Sequence, residues 1–126
     1  MSLNFSSTWK SSRKPRKQRK YRIDAPLHVK QKFVHAHLSK DLRKKYGKRS
    51  IGLRKGDKVR ITIGKFRKHE GKIEGIDLKK ERAFVNGVEI TKRDGTKKSL
   101  ALHPSNFVVT ELNLDDKFRQ KILERK

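Results

Sequence analysis

Short stretches of alternating hydrophobic and polar residues follow residue 50, and this period of two predicts β-strands. Val59, Ile61 and Ile63 alternate with polar neighbours, so we expect all three to point toward one face of a strand. A second strand is expected after Gly71, with a bulge at Gly75 before the hydrophobic positions continue. Together these segments predict the start of a sheet with one buried face.

Turn-forming dipeptides separate the later strands. Asn86-Gly87 and Asp94-Gly95 are each expected to close a tight hairpin, because Asn, Asp and Gly tolerate the positive φ of two-residue turns. A further turn is expected over residues 78–81, and a last strand over residues 107–112. Short strands joined by glycine-containing turns, without crossover helices, predict a mainly β fold in the form of a small antiparallel barrel.

The hydrophobic pattern is helical in the stretch before residue 47. Leu27, Phe33 and Val34 would form a short apolar stripe on one helix, and a second helix should begin at Ser39 as its N-cap and end at Gly47 as its C-cap. Neither helix is long enough to be stable alone. We therefore expect both to be held by the folded domain or by a partner.

A short helix is also expected at the C-terminus. Asp115 and Asp116 would lie in its first turn, where negative charge is favourable. Leu114, Phe118 and Ile122 follow the helical spacing and are expected to dock it onto the sheet.

Charge and hydrophobicity divide the 126 residues, whose net charge is +23. The first 50 residues contain 16 Lys/Arg, two acidic residues and only nine Leu, Ile, Val or Phe. The remaining 76 residues contain 20 Lys/Arg, 11 acidic residues and 23 Leu, Ile, Val or Phe. A segment so poor in apolar residues and so charged does not form a core by itself. We expect a basic N-terminal extension over residues 1–50 that orders mainly on a partner, a barrel over 51–112 with the core, and a C-terminal helix over 113–126.

The excess of basic residues indicates a polyanionic partner. Residues 10–22 contain eight Lys/Arg and no acid, and Trp9 and Tyr21 flank the run with rings that could stack on bases. A solvated tail and a nuclear localisation signal are the alternatives for such a run. No apolar run approaches the length of a membrane span, and no amphipathic stripe accompanies the charge, so a membrane partner is disfavoured.

The segment between Gly64 and Gly71 is the strongest candidate for an RNA-contacting loop. It contains three cations, Lys65, Arg67 and Lys68, which could bind phosphates. Phe66 between them could either stack on an unpaired base or anchor the loop in the core.

Other candidates for chemistry are weak. His28, His35 and His37 lack the cysteines and acidic residues of a metal site, and no metal, other cofactor or small-molecule substrate is expected. Asp57 is expected to cap a turn, and the segment 103–106 to form a turn with RNA contact as a second role. No phosphate-binding loop, nucleophile elbow or other catalytic constellation is present, so the sequence predicts no enzyme.

Residues 56–73, GDKVRITIGKFRKHEGKI, resemble the KOW motif of SH3-like barrels in ribosomal proteins and transcription elongation factors. Further segments are similar to one family, the large-subunit ribosomal proteins numbered twenty-four in bacteria and archaea and twenty-six in eukaryotes, and the archaeal branch in particular. Those segments are 15–20, 25–28, 39–43, 103–106 and 121–126.

This resemblance implies a structural constituent of the large ribosomal subunit, located in the cytoplasm, with an SH3-like barrel. It implies binding to the five-prime region of large-subunit rRNA early in assembly, near the exit of the peptide tunnel. Neighbouring ribosomal proteins, and nascent-chain targeting factors at the exit, are the other partners it suggests. The alternative is a KOW-domain factor of transcription elongation or RNA handling. Lys68 departs from the family, which usually has a glycine at the middle of this loop.

The predicted rRNA-binding residues lie in the extension, in the KOW loop and at the turn before the last strand. They are Arg13, Lys14, Arg16, Lys17, Arg19, Lys20, Tyr21, Arg22, His28, Lys30, Lys32, Lys65, Phe66, Arg67, Lys68, His69, Lys72, His103, Ser105 and Asn106.

Overall fold

A computed structural model describes residues 5–8 and 11–125, which form four α-helices, two short 3₁₀ turns and seven β-strands. The helices are α1 (Pro15–Asp24), α2 (Leu27–Lys30), α3 (Lys40–Tyr46) and α4 (Lys117–Glu124), and the 3₁₀ turns are Gln31–Phe33 and Pro104–Asn106. The strands are β1 (His35–Leu38), β2 (Ser50–Gly52), β3 (Lys58–Ile61), β4 (Glu70–Asp77), β5 (Arg82–Thr91), β6 (Lys97–Leu102) and β7 (Phe107–Glu111).

The seven strands form one mixed sheet in the order β2-β1-β7-β3-β4-β5-β6, with β2 and β6 at its ends. The expectation of a purely antiparallel arrangement was wrong at one place, because β1 pairs with β7 in parallel, with His37 opposite Val108 and Leu38 opposite Val109. Strand β1 reaches this position from the N-terminal extension, so it enters the sheet without a hairpin.

The segment expected to be helical before residue 47 contains this strand. Val34, Ala36 and Leu38 are buried, whereas His35 is exposed and His37 is half-buried, which is the period of two expected for a strand. The expectation that the core lies only after residue 50 was therefore also wrong. The three buried residues join one core cluster that extends through the sheet to Leu123 of α4.

The predicted caps of the second short helix are confirmed. The Ser39 hydroxyl accepts a hydrogen bond from the Leu42 N–H at 3.3 Å, and α3 ends at Gly47, which has a left-handed φ of 64°. Leu27, by contrast, is 60% exposed and does not contribute to the predicted apolar stripe.

Two glycine-containing dipeptides behave differently. The predicted hairpin at Asp94-Gly95 is confirmed between β5 and β6, where the Asp94 carboxylate accepts hydrogen bonds from the N–H and hydroxyl of Thr96. The hairpin predicted at Asn86-Gly87 was wrong, because β5 continues through both residues. Gly87 has a φ of 79°, and the register of β5 on β6 shifts in this segment, so the pair forms an irregularity within the strand.

The first predicted strand is shorter than expected, while the bulge in the next one is confirmed. Strand β3 ends at Ile61, and Ile63 is 64% exposed because the chain has already turned into the loop. The pairing of β4 with β5 shifts register between Ile73 and Gly75, as predicted.

Helix α4 begins at its N-cap Asp116, whose carboxylate accepts a hydrogen bond from the Phe118 N–H at 2.8 Å. Of its predicted docking residues, Leu114 is half-buried and packs against the core, as expected. The other two were wrong, since Phe118 is 74% exposed and Ile122 is also exposed. Arg119 and Leu123 are the helix residues that are buried. Within the described residues, no helix has the length and apolar character required to cross a membrane.

Candidate nucleic-acid interface

The loop between β3 and β4 is closed by its own backbone hydrogen bonds. The N–H of Lys68 donates to the Ile61 carbonyl at 2.8 Å, and the N–H of Ile61 donates to the His69 carbonyl at 2.9 Å. A third bond, 3.1 Å long, joins the Arg67 N–H to the Gly64 carbonyl. The backbone that carries the cations is thus fixed without a ligand.

The side chains of this loop divide into outward and inward sets. Lys65, Arg67 and Lys68 are exposed, so their charges face solvent at the end of the sheet. Phe66 is half-buried and packs against the hydrophobic core, which is the position of a ring that anchors the loop. Three cations held on a short anchored turn form a surface suited to phosphate groups.

Lys68 adopts a left-handed backbone conformation with a φ of 70°. Such a φ is uncommon for a residue with a side chain, because Cβ crowds the following carbonyl. The loop therefore keeps the conformation that a glycine would favour, and it carries an additional positive charge at that position.

His69 holds the loop against the irregular part of β5. Its Nε2–H donates to the Asn86 carbonyl at 2.9 Å, and its ring lies 3.0 Å from the position a Cβ on Gly87 would occupy. A Cβ on Gly71 would lie 2.7 Å from the Asn86 carbonyl oxygen. The close approach of the two backbones explains why position 71 is a glycine. The His69 ring positions the loop against β5.

The turn at residues 103–106 lies beside this loop. The Asn106 carbonyl accepts hydrogen bonds from the N–H of Thr62 at 2.9 Å and from its hydroxyl at 3.0 Å. The sheet thus brings together two segments, residues 62–69 and 103–106, that the sequence separates by more than thirty positions. We call them the rim surface.

Within the rim surface, His103 caps its own turn. Its Nδ1 accepts hydrogen bonds from the N–H of Ser105 at 3.2 Å and from the Ser105 hydroxyl at 2.8 Å. Burial, and secondarily the positive charges of Arg82 and Arg22, lower the pKa of His103 below its ordinary value. Because Nδ1 accepts both hydrogen bonds, the turn requires the neutral ring with its proton on Nε2.

The predicted basic run forms helix α1 and the residues leading into it. Exposed cations cover this helix, and none of its residues is buried. The helix is held by its C-terminal turn, where the Tyr21 ring lies 6.2 Å from Phe33 and the Arg22 guanidinium lies 3.7 Å from the Glu81 carboxylate. We call residues 11–33 the arm. Trp9 and Lys10, which the sequence placed at its start, lie outside the described residues.

The remaining predicted contacts have mixed positions. His28 and Lys32 are exposed on the arm, and Lys72 is exposed on β4. Lys30, also predicted to contact rRNA, is instead buried at 8% exposure. Five further predicted residues of the arm are exposed, and Lys17 is half-buried; the exposed ones are Arg13, Lys14, Arg16, Arg19 and Lys20.

Asp57 has a larger role than the predicted turn cap. Its carboxylate accepts from the Arg54 N–H, as a cap would, but it also forms a two-pronged ion pair with Arg119 at 2.5 and 2.7 Å. Both side chains are buried, at 0% and 2% exposure. The spacing of 62 residues leaves no local signal in the sequence, so this pair could not have been predicted.

The sequence-based set also omitted a basic hairpin. Lys92, Arg93, Lys97 and Lys98 are exposed around the β5–β6 turn, where Lys97 lies 3.8 Å from the Glu89 carboxylate. Their clustering next to the predicted Asp94-Gly95 turn was the available signal. No group of three or more His, Cys, Asp or Glu side chains among the described residues is arranged to hold a metal ion.

Comparison with known proteins shows which sequences this chain is similar to. Residues 12–126 match the sequence model of a family described as the eukaryotic ribosomal proteins L26 and their archaeal L24 counterparts. Large ribosomal subunit protein uL24 of Methanosphaera stadtmanae is 49% identical over 115 residues, which cover 91% of this chain and 98% of the relative. The uL24 protein of Methanothrix thermoacetophila is 47% identical over 114 residues, covering 90% and 98%.

Proposed function

Because the chain belongs to the family of eukaryotic L26 and archaeal L24 ribosomal proteins, we propose that it is a structural constituent of the large ribosomal subunit and binds large-subunit rRNA. The family is non-enzymatic and functions in translation. The observation that carries the RNA-binding part is the rim surface, where Lys65, Arg67 and Lys68 project from a loop whose backbone is already closed by hydrogen bonds.

Binding rests mainly on phosphate contacts. A-form RNA hides its major groove, so cations on a rigid turn reach the backbone and the 2′-hydroxyls more readily than base edges. Arg67 offers a planar fork for one phosphate, whereas Lys65 and Lys68 act as point charges. The Ser105 hydroxyl and the Nε2–H of His103 are neutral polar groups on the same rim surface. The arm supplies a second contact surface on the same RNA.

The family membership supports a more specific assignment. We propose that the chain binds the five-prime region of the rRNA early in subunit assembly and that it lies near the exit of the peptide tunnel in cytoplasmic ribosomes. Neighbouring ribosomal proteins contact it there, and nascent-chain targeting factors have access to it. Within the extension over residues 1–50, residues 11–33 provide the arm and β1 joins the sheet. Residues 51–112 supply most of the sheet, and α4 packs against it through Leu123.

We also propose that the sheet closes into the SH3-like barrel typical of KOW proteins. One continuous core cluster contains Ile51 of β2, Val59 of β3 and Val85 of β5, as expected if the strands curve around a common interior. The irregularities at Gly75 and Gly87 supply the bends that such curvature needs. A crystal structure of the chain bound in its subunit would test this closure.

The function is tested by sedimentation of lysate from cells that express a tagged chain. Stoichiometric migration with large subunits at moderate salt is expected, and migration with RNA polymerase would contradict the proposal. Cross-link mapping on the purified subunits should join the rim surface to rRNA. Lys117 on α4 is a matched control, because α4 packs near Asp57, at the other end of β3 from the loop.

A double variant tests the loop directly. Arg67→Ala with Lys68→Ala should weaken rRNA binding while the circular dichroism spectrum stays unchanged, because both side chains are exposed. Lys117→Ala should leave binding nearly unchanged. Loss of the folded spectrum in the loop variant would show that these side chains are structural.

A further inference from the structure

A cleft separates α1 from the segment that follows it. Its volume is about 1220 Å³, and its walls are formed by α1, residues 28–33 and three residues before α1, which are Ser7, Thr8 and Ser12. Four cations line it and no acidic residue does; the cations are Lys17, Arg19, Arg22 and Lys32. The groove beside α4 differs, because Asp115 and Asp116 accompany its cations. The cleft in the arm is thus of one sign and complementary to an anion.

Aromatic side chains form part of the cleft lining. Tyr21 and Phe33 both contribute, with ring centroids 6.2 Å apart in an edge-to-face arrangement. His28 adds a third ring, and the Ser7 and Ser12 hydroxyls add donors and acceptors. Rings, cations and hydroxyls around one concave space are the groups that proteins use to hold an unpaired base with its sugar and phosphate.

The walls of the cleft are held in place by contacts within the chain. Tyr21 packs against Phe5 at 4.9 Å between ring centroids, and the Arg22 guanidinium lies 5.4 Å from the centre of the Phe33 ring. Gln18 donates from Nε2 to the Ser12 carbonyl at 2.9 Å. These contacts join Phe5, Ser12, α1 and the 3₁₀ turn. The cleft is therefore largely formed before a ligand binds, which lowers the entropy cost of binding.

We propose that this cleft holds one unpaired ribonucleotide extruded from the rRNA, with the base against Tyr21 and Phe33 and the phosphate on Arg19 and Lys32. The proposal deepens the rRNA-binding function and rests on it. A regular duplex presents phosphates on a convex surface and keeps its bases stacked inside, so it could reach the outer face of α1 but not the cleft. The cleft therefore adds a preference for single-stranded or bulged RNA to the general attraction of the arm for phosphate.

Binding of two fluorescent probes to the purified full chain at one salt concentration tests the proposal. The probes are a short oligouridylate and an RNA duplex of the same length. Arg19→Ala should weaken oligouridylate binding about 10-fold and duplex binding no more than about twofold. Arg16→Ala is the matched control, since Arg16 is also an exposed arginine of α1 but does not line the cleft, and it should affect both probes alike.

Tyr21→Leu provides a second measurement, with Tyr46→Leu on α3 as its control. It should also weaken oligouridylate binding about 10-fold and spare the duplex, whereas Tyr46→Leu should change neither. If Tyr21→Leu alters the circular dichroism spectrum, the comparison of Arg19 with Arg16 decides. Equal losses on the two probes, or no loss, would overturn the cleft proposal. Comigration of the wild-type chain with large subunits is scored separately, so rejection of the cleft leaves the ribosomal function standing.

Discussion

The attachment of α4 to the sheet depends on the buried ion pair between Asp57 and Arg119, and removing the cation should be costly. We expect Arg119→Met to lower the free energy of unfolding by about 3–5 kcal/mol, the range for leaving one partner of a buried pair alone. Methionine keeps most of the aliphatic stem, so the loss reports the guanidinium rather than packing. For a domain of typical stability, about 5–15 kcal/mol, this is a large fraction.

The geometry explains why the upper part of the range applies. The guanidinium donates twice to the Asp57 carboxylate, once to the Asn113 carbonyl at 2.8 Å and once to the Gly52 carbonyl at 3.1 Å. Without it, the carboxylate retains only the backbone N–H groups of Arg54 and Asn113 in a site with no solvent exposure. An ionised carboxylate with so little compensation is strongly destabilising.

Urea unfolding followed by circular dichroism measures this change. Lys117→Met is the matched control, because Lys117 is a cation of the same helix that is exposed, and it should shift the free energy by less than about 0.5 kcal/mol. If α4 detaches before the sheet unfolds, the Arg119→Met variant will also show a smaller dependence of free energy on urea concentration.

A double variant separates the ion pair from other effects. Asp57→Asn combined with Arg119→Met should cost clearly less than the sum of the two single changes, since it removes the uncompensated charge. An Arg119→Met variant within about 1 kcal/mol of wild type, or strictly additive single changes, would refute the reasoning that the pair is a closed and buried unit.

Three further predictions concern single positions, and a fourth concerns the arm. Lys68→Gly should raise the free energy of unfolding by about 1 kcal/mol, because glycine tolerates the φ of 70°, and it should lower the affinity for rRNA. Lys65→Gly is the control, since Lys65 does not have a positive φ, and it should not raise the free energy of unfolding in urea. Gly71→Ala should cost about 1–3 kcal/mol in the same assay, since its Cβ would meet the Asn86 carbonyl oxygen at 2.7 Å, whereas Gly75→Ala, with its nearest neighbour at 3.8 Å, should cost less. The pKa of His103 in the folded chain lies below its ordinary value, so the unfolded chain binds more protons as the pH falls. Thermal unfolding should therefore show stability decreasing as the pH drops below about 6.5. His103→Gln should reduce this pH dependence of stability without abolishing it, since burial also lowers the pKa of His35. Deleting residues 1–22 should flatten the plot of log affinity for rRNA against log salt, while the circular dichroism spectrum retains its sheet component. An unchanged slope would show that the deleted part of the arm binds no phosphate.

The parts of the fold that depend on local chemistry could be predicted from the sequence. Ser39 and Gly47 cap α3 because a hydroxyl and a left-handed glycine act within one turn of the chain. The Asp94-Gly95 hairpin and the bulge at Gly75 are equally local. Each of these features is determined by residues that are neighbours in sequence, so a pattern was sufficient.

The parts that failed depend on contacts between distant segments. His35–Leu38 is too short and too poor in hydrophobic residues for a reliable strand pattern, and it is a strand because it pairs with both β2 and β7. Asn86-Gly87 has strong turn propensity, yet the extended pairing of β5 with its neighbours overrides it. The burial of Arg119 could not be predicted, because nothing near it in the sequence points to Asp57.

Arg119 and Lys68 are two cations with different roles in this protein. Arg119 is neutralised inside the fold by a carboxylate, and four hydrogen bonds fix its guanidinium. Lys68 is exposed on the surface, and its backbone has a left-handed conformation that is unfavourable for a residue with a side chain. A strained, exposed cation persists when the surrounding structure imposes the conformation, and such residues concentrate at functional sites. Of the two cations, Lys68 is therefore the one whose loss should weaken rRNA binding more than folding, and Arg119 the reverse.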